Sequence, residues 1–268
     1  MVKKWSCLLS ISLLLGFTYS SNAQTKLFEV EVGEVAALDI DRMGQIYIVD
    51  HEGNVMQYKD DQEIRRYSPT VPAEVQIDAW AMLNTVVFSP DWQGVRILGQ
   101  QLTQQSEYLF DENLIEYATI ATNATDAGIW LYDQPAFRIK KYFPNQQQIS
   151  IDVSIEQILS TSYWNPTWIR EYQNNLYIVE ERMGVFTFDL LGNILSEPVD
   201  IGGAKVIGLT DDKMYWLKKD QLHFKSLYST DRETLDLPTK KATFAVYDTS
   251  LNRVYCIVKN KLIAYQMQ

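Results

Sequence analysis

The sequence has very little cysteine and histidine, and each shortage excludes a class of protein. The two cysteines, Cys7 and Cys256, lie near opposite ends of the 268 residues, and the two histidines are His51 and His223. A small secreted fold held by a disulfide framework is therefore excluded. Histidines so far apart in sequence have none of the spacings that metal-binding motifs use. We expect a fold that depends on its hydrophobic core, with no metal and no cofactor.

Basic charge and long apolar segments are also scarce. Lys and Arg total 24 against 34 Asp and Glu, a formal net charge of −10. This excess of acid gives the protein no electrostatic attraction to nucleic acid or to an anionic membrane surface. The apolar segment near the N-terminus, residues 8–17, is shorter than the roughly 20 residues that a membrane-spanning helix needs. We expect neither a nucleic acid partner nor a membrane span in the mature chain.

The N-terminal segment has the features of a secretory signal peptide. Two lysines precede the apolar segment, and Ser21 and Ala23 put small residues at the −3 and −1 positions of a cleavage site. We predict that residues 1–23 are removed and that residues 24–268 are exported to the periplasm or the extracellular space. A retained N-terminal anchor is the alternative.

A short pattern typical of a β-strand recurs along the rest of the chain. In each copy an aliphatic residue follows a polar one, or Gly128 in the third copy, and further β-forming residues, usually with an aromatic among them, come next. Successive copies begin 38 to 47 residues apart. The aliphatic residues that open the six copies are Ile46, Val86, Ile129, Leu176, Met214 and Val254. This spacing indicates an internal structural repeat.

The residues around each copy complete a four-stranded unit. A turn rich in Gly, Asn or Pro follows several copies, then a second alternating run, and an apolar run of small residues precedes most copies. Apart from one helical turn at residues 154–159, no helical pattern is present. The repeat therefore predicts an all-β fold, a six-bladed β-propeller of four-stranded antiparallel blades. The predicted blades span residues 34–71, 72–113, 114–160, 161–201, 202–238 and 239–268, the last completed by residues 26–32.

The N-terminal part of the mature chain supplies the strand that closes the ring. The sixth unit has only three strands, and Leu27 to Val32 form an alternating strand without a partner. Added as the outer strand of the last blade, this segment removes an open sheet edge. Five or seven blades are alternatives, because the outer strands of the second blade, between Gly99 and Leu114, are poorly defined. A two-sheet sandwich is the other architecture, but it does not predict the repeat.

The first copy resembles an NHL-type propeller repeat. Residues 36–50 place an apolar strand, an Asp and a Gly before the strand from Ile46 to Asp50, as in that family, and residues 125–142 are similar. The resemblance covers residues 34–268 as architecture and implies the propeller fold. It leaves function open, since propellers include binding modules, lactonases, lyases and dehydrogenases. Propeller lyases depend on histidine pairs and propeller lactonases on a divalent ion, and no motif here carries either set.

Two aromatic loops are the strongest indication of a binding surface. Residues 161–170 contain Tyr163, Trp164 and Trp168, and Trp92 follows the central strand of the second blade. Because the strands of a blade alternate in direction, these loops should lie on one face of the propeller. Exposed Trp and Tyr beside a channel mouth are favoured recognition groups. The alternative is that these rings pack between blades.

These features predict an exported propeller that acts as a binding or assembly module of the bacterial cell envelope. We expect it to recognise a protein or a small-molecule ligand through Trp92, Tyr163, Trp164 and Trp168 on the channel-mouth face. A metal-dependent hydrolase or lyase of the propeller lactonase class is the alternative. No residue is predicted to be catalytic or to ligate a metal.

The signal peptide predicts the mass of the exported protein. When a bacterial host expresses the full chain, the exported form should have the intact mass of residues 24–268, or that mass less one ammonia if Gln24 cyclises. Mass spectrometry of the periplasmic and culture fractions checks this. Ala23→Trp removes the small residue at −1 and should block processing. An exported protein that retains Met1 contradicts the prediction.

Overall fold

The computed structural model describes residues 24–81 and 83–267, which form a ring of six antiparallel sheets. The predicted signal peptide, residues 1–23, lies outside the described residues. Almost all regular structure is β-strand, and the six sheets are the blades of a propeller, as the repeat predicts. Within the described residues, no helix has the length and apolar character that crossing a membrane requires.

The first three blades follow one another along the chain after an initial strand, β1 (Thr25–Glu31). Blade 1 contains β2 (Ala37–Ile40), β3 (Ile46–Val49), β4 (Val55–Lys59) and β5 (Gln62–Tyr67). Blade 2 contains β6 (Gln76–Asp78), β7 (Asn84–Ser89), β8 (Gly94–Gly99) and β9 (Gln104–Leu109). Blade 3 contains β10 (Ala118–Asn123), β11 (Ile129–Asp133), β12 (Arg138–Phe143) and β13 (Gln148–Ser154).

The remaining blades continue in the same order, and β1 completes the last of them. Blade 4 contains β14 (Pro166–Tyr172), β15 (Asn175–Glu180) and β16 (Gly184–Asp189). Blade 5 contains β17 (Gly208–Leu209), β18 (Lys213–Lys218), β19 (Gln221–Ser226) and β20 (Arg232–Asp236). Blade 6 contains β21 (Ala242–Asp248), β22 (Arg253–Val258), β23 (Lys261–Gln266) and β1. The first strands of blades 6, 1, 2, 3 and 4 contact one another in that order, and β18 of blade 5 contacts β21, which places these strands around the central axis.

The outer strand of blade 4 is reduced to two isolated bridges. After β16 the chain pairs with it only between Val185 and Val199 and between Phe188 and Ile194. Pro198 lies within this segment, and proline has no N–H to donate to a sheet ladder. The blade therefore keeps its place in the ring with a shorter hydrogen-bonded edge than its neighbours.

Within residues 24–81 and 83–267, helical structure is limited to two short segments around the outer strand of blade 3. A 3₁₀ turn covers Pro144–Gln146, and the helix α1 covers Ile155–Leu159. The hydroxyl of Ser154 accepts a hydrogen bond from the backbone N–H of Gln157 and so caps α1, which ends at a left-handed Ser160. The single helical turn that the sequence predicts here is confirmed.

The core consists of six hydrophobic clusters, one between each pair of neighbouring blades. The second strand of a blade contributes to the clusters on both of its sides, so β3 and β11 are buried along their whole length. A strand buried on both faces requires a continuous apolar sequence, which is why the repeat is most visible there. Each fully buried large apolar side chain contributes roughly 1.5–3 kcal/mol.

The six innermost strands begin on the same face of the ring. Antiparallel alternation brings the connections between blades to that face, together with the turns that join second to third strands. Backbone hydrogen bonds tie the two sets of loops, for example from Ala73 N–H to the Glu52 carbonyl and from Phe110 N–H to the Gln93 carbonyl. We call this surface the mouth face. Its loops are residues 32–36, 50–54, 68–75, 90–93, 110–117, 134–137, 155–165, 181–183, 200–207, 219–220, 237–241 and 259–260.

The ring closes through β1, which pairs antiparallel with β23 along its length. Lys261 of β23 contacts Glu29 at 2.6 Å and Glu31 at 3.3 Å. Hydrogen bonds from Lys261 and Lys26 lower the pKa of Glu29 to about 2. Closure by the N-terminal strand, which the sequence predicts from its alternating pattern, is confirmed.

Deletion of residues 24–32 should destabilise the ring. The last blade would lose its outer strand and expose unpaired backbone groups of β23. We expect a lower midpoint of thermal unfolding and aggregation, measured by circular dichroism and light scattering. Glu29→Gln keeps the strand and removes only an exposed ionic contact, so this control should change the midpoint little. A deletion variant with the wild-type midpoint contradicts the role of β1.

Candidate binding cavity

A cavity of about 490 Å³ occupies the centre of the ring. The innermost strands of all six blades line it, together with β18 of blade 5. Small residues make room for it, among them Ala37, Ala121 and Ala245. Exposed lining residues, such as Lys205 and Val206, belong to the mouth face, so the cavity opens there.

Three charged side chains from three blades meet in the channel. Nη2 of Arg170 in β14 lies 2.6 Å from Oδ2 of Asp39 in β2 and 3.0 Å from Oδ1 of Asp78 in β6. Arg170 is only 3% exposed. The cavity lining stops at Ile77 within β6 and at Arg170 within β14, so these charges lie at its inner end. We call Arg170, Asp39 and Asp78 the channel triad.

The carboxylates of the channel triad have further hydrogen-bond donors. The backbone N–H of Ala79 donates to Asp39 Oδ2 at 2.9 Å, and the hydroxyl of Thr122 in β10 donates to Asp78 Oδ2. Burial raises the pKa of Asp39, Arg170 opposes the rise, and the nearby Asp78 adds to it. Burial alone would lower the pKa of Arg170, but the two carboxylates outweigh burial and raise it. The guanidinium therefore stays charged, and its buried Nε–H has no hydrogen-bond partner.

Trp80 lies in the channel behind the triad. It follows β6 on the side away from the mouth face, and its backbone N–H donates to Asp78 Oδ1 at 3.1 Å. Its indole lines the cavity and reaches blade 4, where it packs edge to face against Tyr172 with ring centroids 5.3 Å apart. The cavity is therefore open at the mouth face, and Trp80 lies across part of its other end.

Tyr215 lines the cavity although it belongs to the second strand of its blade. The innermost strand β17 is only two residues long, and Gly208 within it has no side chain to separate β18 from the channel. A Cβ at Gly208 would lie 2.0 Å from Cζ of Tyr215. The Tyr215 hydroxyl accepts a hydrogen bond from the backbone N–H of Tyr247 at 3.0 Å, which links blades 5 and 6. Glycine at this position is what lets the ring reach the channel.

Of the four aromatic residues that the sequence predicts for binding, Trp168 lines the cavity. It lies in β14, which begins at Pro166, so the predicted loop over residues 161–170 is shorter than expected. The guanidinium carbon of Arg170 is 5.1 Å from the centre of its ring. Residues two apart in a strand lie on the same side, so Trp168 and Arg170 share one side of β14. Because β14 begins at the mouth face, Trp168 lies between that face and the triad.

The other three predicted residues have different surroundings, outside the cavity lining. Trp164 is 3% exposed and packs edge to face on Tyr132, so it belongs to the core between blades 3 and 4. Tyr163 is 48% exposed, and the guanidinium of Arg182 lies 3.5 Å from its ring centre. Trp92 is half-buried, with an arginine guanidinium 3.6 Å from its ring centre. The core thus extends into a connection whose sequence resembles an exposed loop.

Neither histidine lines the cavity. His51 lies in an exposed turn, 3.7 Å from Glu74, and His223 in β19 stacks on Trp216. Burial lowers the pKa of His223, and it raises the pKa of the buried Cys256 thiol to about 12. Within the described part of the chain, no three His, Cys, Asp or Glu side chains are grouped as metal ligands.

No protein-family model matches the chain, and no curated protein sequence matches it. The fold, in contrast, is shared with many solved structures. A streptogramin B lyase has a TM-score of 0.57 at 14% identity, with 92% of this chain and 87% of that chain covered. The Cps50 (Swd1) β-propeller domain from Myceliophteria thermophila has a TM-score of 0.65 at 8% identity, with 92% and 100% covered.

An extracellular domain of BT4673 from B. thetaiotaomicron is also similar, with a TM-score of 0.55 at 10% identity and coverage of 86% of this chain and 33% of that chain. At such low identities the similarity shows the propeller fold alone. The NHL-type resemblance of the repeat therefore stays a prediction.

Arg170→Met should destabilise the protein, because it leaves two buried carboxylates without a counter-charge. Loss of one partner of a buried ion pair costs about 3–5 kcal/mol. Burial already raises the pKa of Asp39 on folding. In the variant, the free-energy cost of the unpaired Asp39 carboxylate is therefore greatest at neutral pH, and it falls as acid protonates that carboxylate. In urea titrations, the stability difference from the wild type should therefore narrow between about pH 7 and about pH 4.

Two further variants make this prediction specific to the channel triad. Adding Asp39→Asn to Arg170→Met removes one carboxylate together with the cation, and it should recover part of the loss. Arg66→Met removes an exposed pair with Glu63 and should cost little. Equal costs for the two arginine variants, or a cost that does not change with pH, would argue against the triad.

Proposed function

We propose that the protein is an exported binding module of the bacterial cell envelope and that its central cavity holds a small, largely apolar ligand. The observation that carries this proposal is the cavity of about 490 Å³, which opens at the mouth face and ends at the channel triad. Ligand pockets in proteins have volumes of about 300–1,000 Å³, mostly apolar walls and a few convergent polar groups. The cavity fits each of these criteria.

The lining determines which ligand class fits. Leu38, Ile77 and Phe244 present apolar side chains, and Trp168 adds an aromatic ring ahead of the triad. With all three members ionised, the triad has two negative charges and one positive charge, and this excess acts at close range in a poorly solvated site. An anionic group would be repelled there. We therefore propose a neutral or cationic ligand with an apolar or aromatic body.

The N-terminal sequence supports the location. It has the basic, apolar and small-residue parts of a signal peptide in the right order. The similar BT4673 domain is itself extracellular, which supports the same compartment for this fold.

The proposal revises the set of binding residues that the sequence predicts. Trp168 remains as a ligand contact, whereas Trp164 belongs to the core and its role is stability. Tyr163 and Trp92 lie in loops of the mouth face, outside the cavity lining, and remain candidates for contact with a protein partner.

A lyase is the second candidate, and the similarity to a streptogramin B lyase is the observation that favours it. Propeller lyases depend on pairs of catalytic histidines, and neither His51 nor His223 lines this cavity. We therefore favour a binding role for this protein over a catalytic one.

Nile red, a neutral aromatic dye that fluoresces in apolar surroundings, should bind saturably at one molecule per chain. Trp168→Ala should weaken binding about thirtyfold, because truncation of a recognition aromatic typically costs at least about 2 kcal/mol. Ala245→Phe fills the cavity and should weaken binding at least as much. Fluorescence titration measures the affinities, and thermal unfolding by circular dichroism shows that each variant is folded.

Trp92→Ala is the matched control, since it removes an indole that does not line the cavity and should leave the affinity unchanged. Undiminished binding to Ala245→Phe, or saturation at many dye molecules per chain, would place the dye elsewhere and contradict the proposal. Displacement of the dye by fractions of small molecules from bacterial envelopes then identifies the natural ligand.

A further inference from the structure

The mouth face is divided by charge, and its acidic half lies in blades 1 to 3. The loops of this half carry eight carboxylates, with Glu34, Glu52, Glu74 and Glu112 among them, and contain no Lys or Arg. The loops are residues 32–36, 50–54, 68–75, 90–93 and 110–117. The sign is therefore uniform over three consecutive blades.

The basic half lies in blades 5 and 6. Its loops, residues 219–220, 237–241 and 259–260, carry four exposed lysines and one carboxylate. The lysines are Lys219, Lys240, Lys241 and Lys259. The carboxylate, Asp220, is half-buried and accepts a hydrogen bond from the backbone N–H of Ala242 at 3.1 Å. Blade 4 and its connections carry both signs and lie between the halves.

Few of these charges have an oppositely charged partner within the chain, unlike charges elsewhere in the protein, although Asp50 and Asp111 accept hydrogen bonds within their own loops. Lys140 pairs with Asp133 at 2.7 Å, and many exposed charges on the blades are paired as well. In the described part of the chain, none of the four lysines of the basic half has an ion-pair partner within 4 Å. In the acidic half, the one such contact joins Glu74 to His51 at 3.7 Å. The mouth face therefore keeps its charges separated by sign and free to meet another surface.

We propose that this other surface is the mouth face of a second copy of the chain, in a symmetric dimer. A two-fold axis in the plane of the interface, along the boundary between the halves, places the acidic half of each copy over the basic half of the other. Both contacts are then attractive, and both form at once. Turning one copy by half a turn about its ring axis would oppose like charges, so the pattern also fixes the orientation.

Exposed apolar residues on the same face supply area for the contact. Five large ones lie in its loops and are between 36% and 60% exposed. They are Val71, Tyr117, Tyr163, Met183 and Val206. They come from loops spread around the cavity mouth, and an apolar centre with a charged rim is the usual arrangement of a protein interface.

Ionic strength decides whether these local contacts outweigh the charge of the whole molecule. Without Lys3 and Lys4 the mature chain has 22 basic and 34 acidic residues, a net charge of −12 that opposes association. The screening length is about 8 Å at physiological salt and about 3 Å at 1 M. Physiological salt therefore weakens repulsion between distant parts of the two copies and preserves pairs across the interface. The dimer should be strongest near that salt concentration.

Sedimentation of the purified exported protein at 0.15 M and 1 M salt tests the proposal, together with two charge-reversal variants. The acidic-half variant carries Glu34→Lys, Glu74→Lys and Glu112→Lys, and the basic-half variant carries Lys219→Glu, Lys240→Glu and Lys259→Glu. The acidic half keeps five carboxylates beside three lysines in the first variant, and the basic half changes from a net charge of +3 to −3 in the second. Each change weakens or reverses the attraction between opposed halves, so self-association should be at least about tenfold weaker. An equal mixture of the two should form a heterodimer in preference to either homodimer, because the unchanged basic half of one variant then meets the unchanged acidic half of the other.

Asp61→Lys, Asp211→Lys and Asp212→Lys together make the matched control. They change the net charge as the acidic-half variant does, but on the face opposite the mouth face, and dimerisation should persist. Three results would overturn the proposal: a monomeric wild type at 0.15 M salt up to about millimolar concentration, equal dimer affinity in all variants, or a mixture that fails to associate. None of these outcomes depends on the ligand of the cavity.

Discussion

Arg170 of β14 links blade 4 directly to blades 1 and 2, which are not its sequential neighbours in the chain. Its guanidinium contacts Asp39 and Asp78 at 2.6 and 3.0 Å in the centre of the ring. Buried charges are tolerated only when they are paired and hydrogen-bonded. A shift of any one of these three innermost strands would leave a charge without its partner. The channel triad therefore fixes the strands relative to one another, and it also sets the depth and polarity of the cavity.

The channel triad and the charges of the mouth face act under different conditions. Inside the channel, burial reduces screening, so in the proposed function a small excess of charge would discriminate between ligands. On the mouth face the charges are exposed and screened within about 8 Å at physiological salt, so they orient an approaching surface more than they hold it. In the proposed dimer the two cavities open towards each other. A ligand and a second copy would then approach the protein through the same opening, and each would affect access for the other.

Much of the fold can be predicted from the sequence, because second strands such as β3 and β11 are buried on both sides and must be apolar throughout. The alternation of residues 27–32 likewise predicts the closing strand. The channel triad has no local signal, since 131 residues separate Asp39 from Arg170 and the sequence around either residue does not show that they meet. The burial of Trp164 depends on how blades 3 and 4 pack together, which the sequence around it does not reveal.

Pairing of β1 with β23 makes the ring depend on both ends of the chain. The contact between Glu29 and Lys261 spans 232 positions, so forming it carries the loop-closure entropy of nearly the whole ring. β1 is synthesised before the other strands of the ring and has no partner until β23 has been made. A chain that stops before Lys261 keeps β1 as a free strand, open to proteolysis and to pairing with other chains. The last sheet therefore forms only in a chain that contains both β1 and β23, and a truncated chain without β23 cannot close the ring.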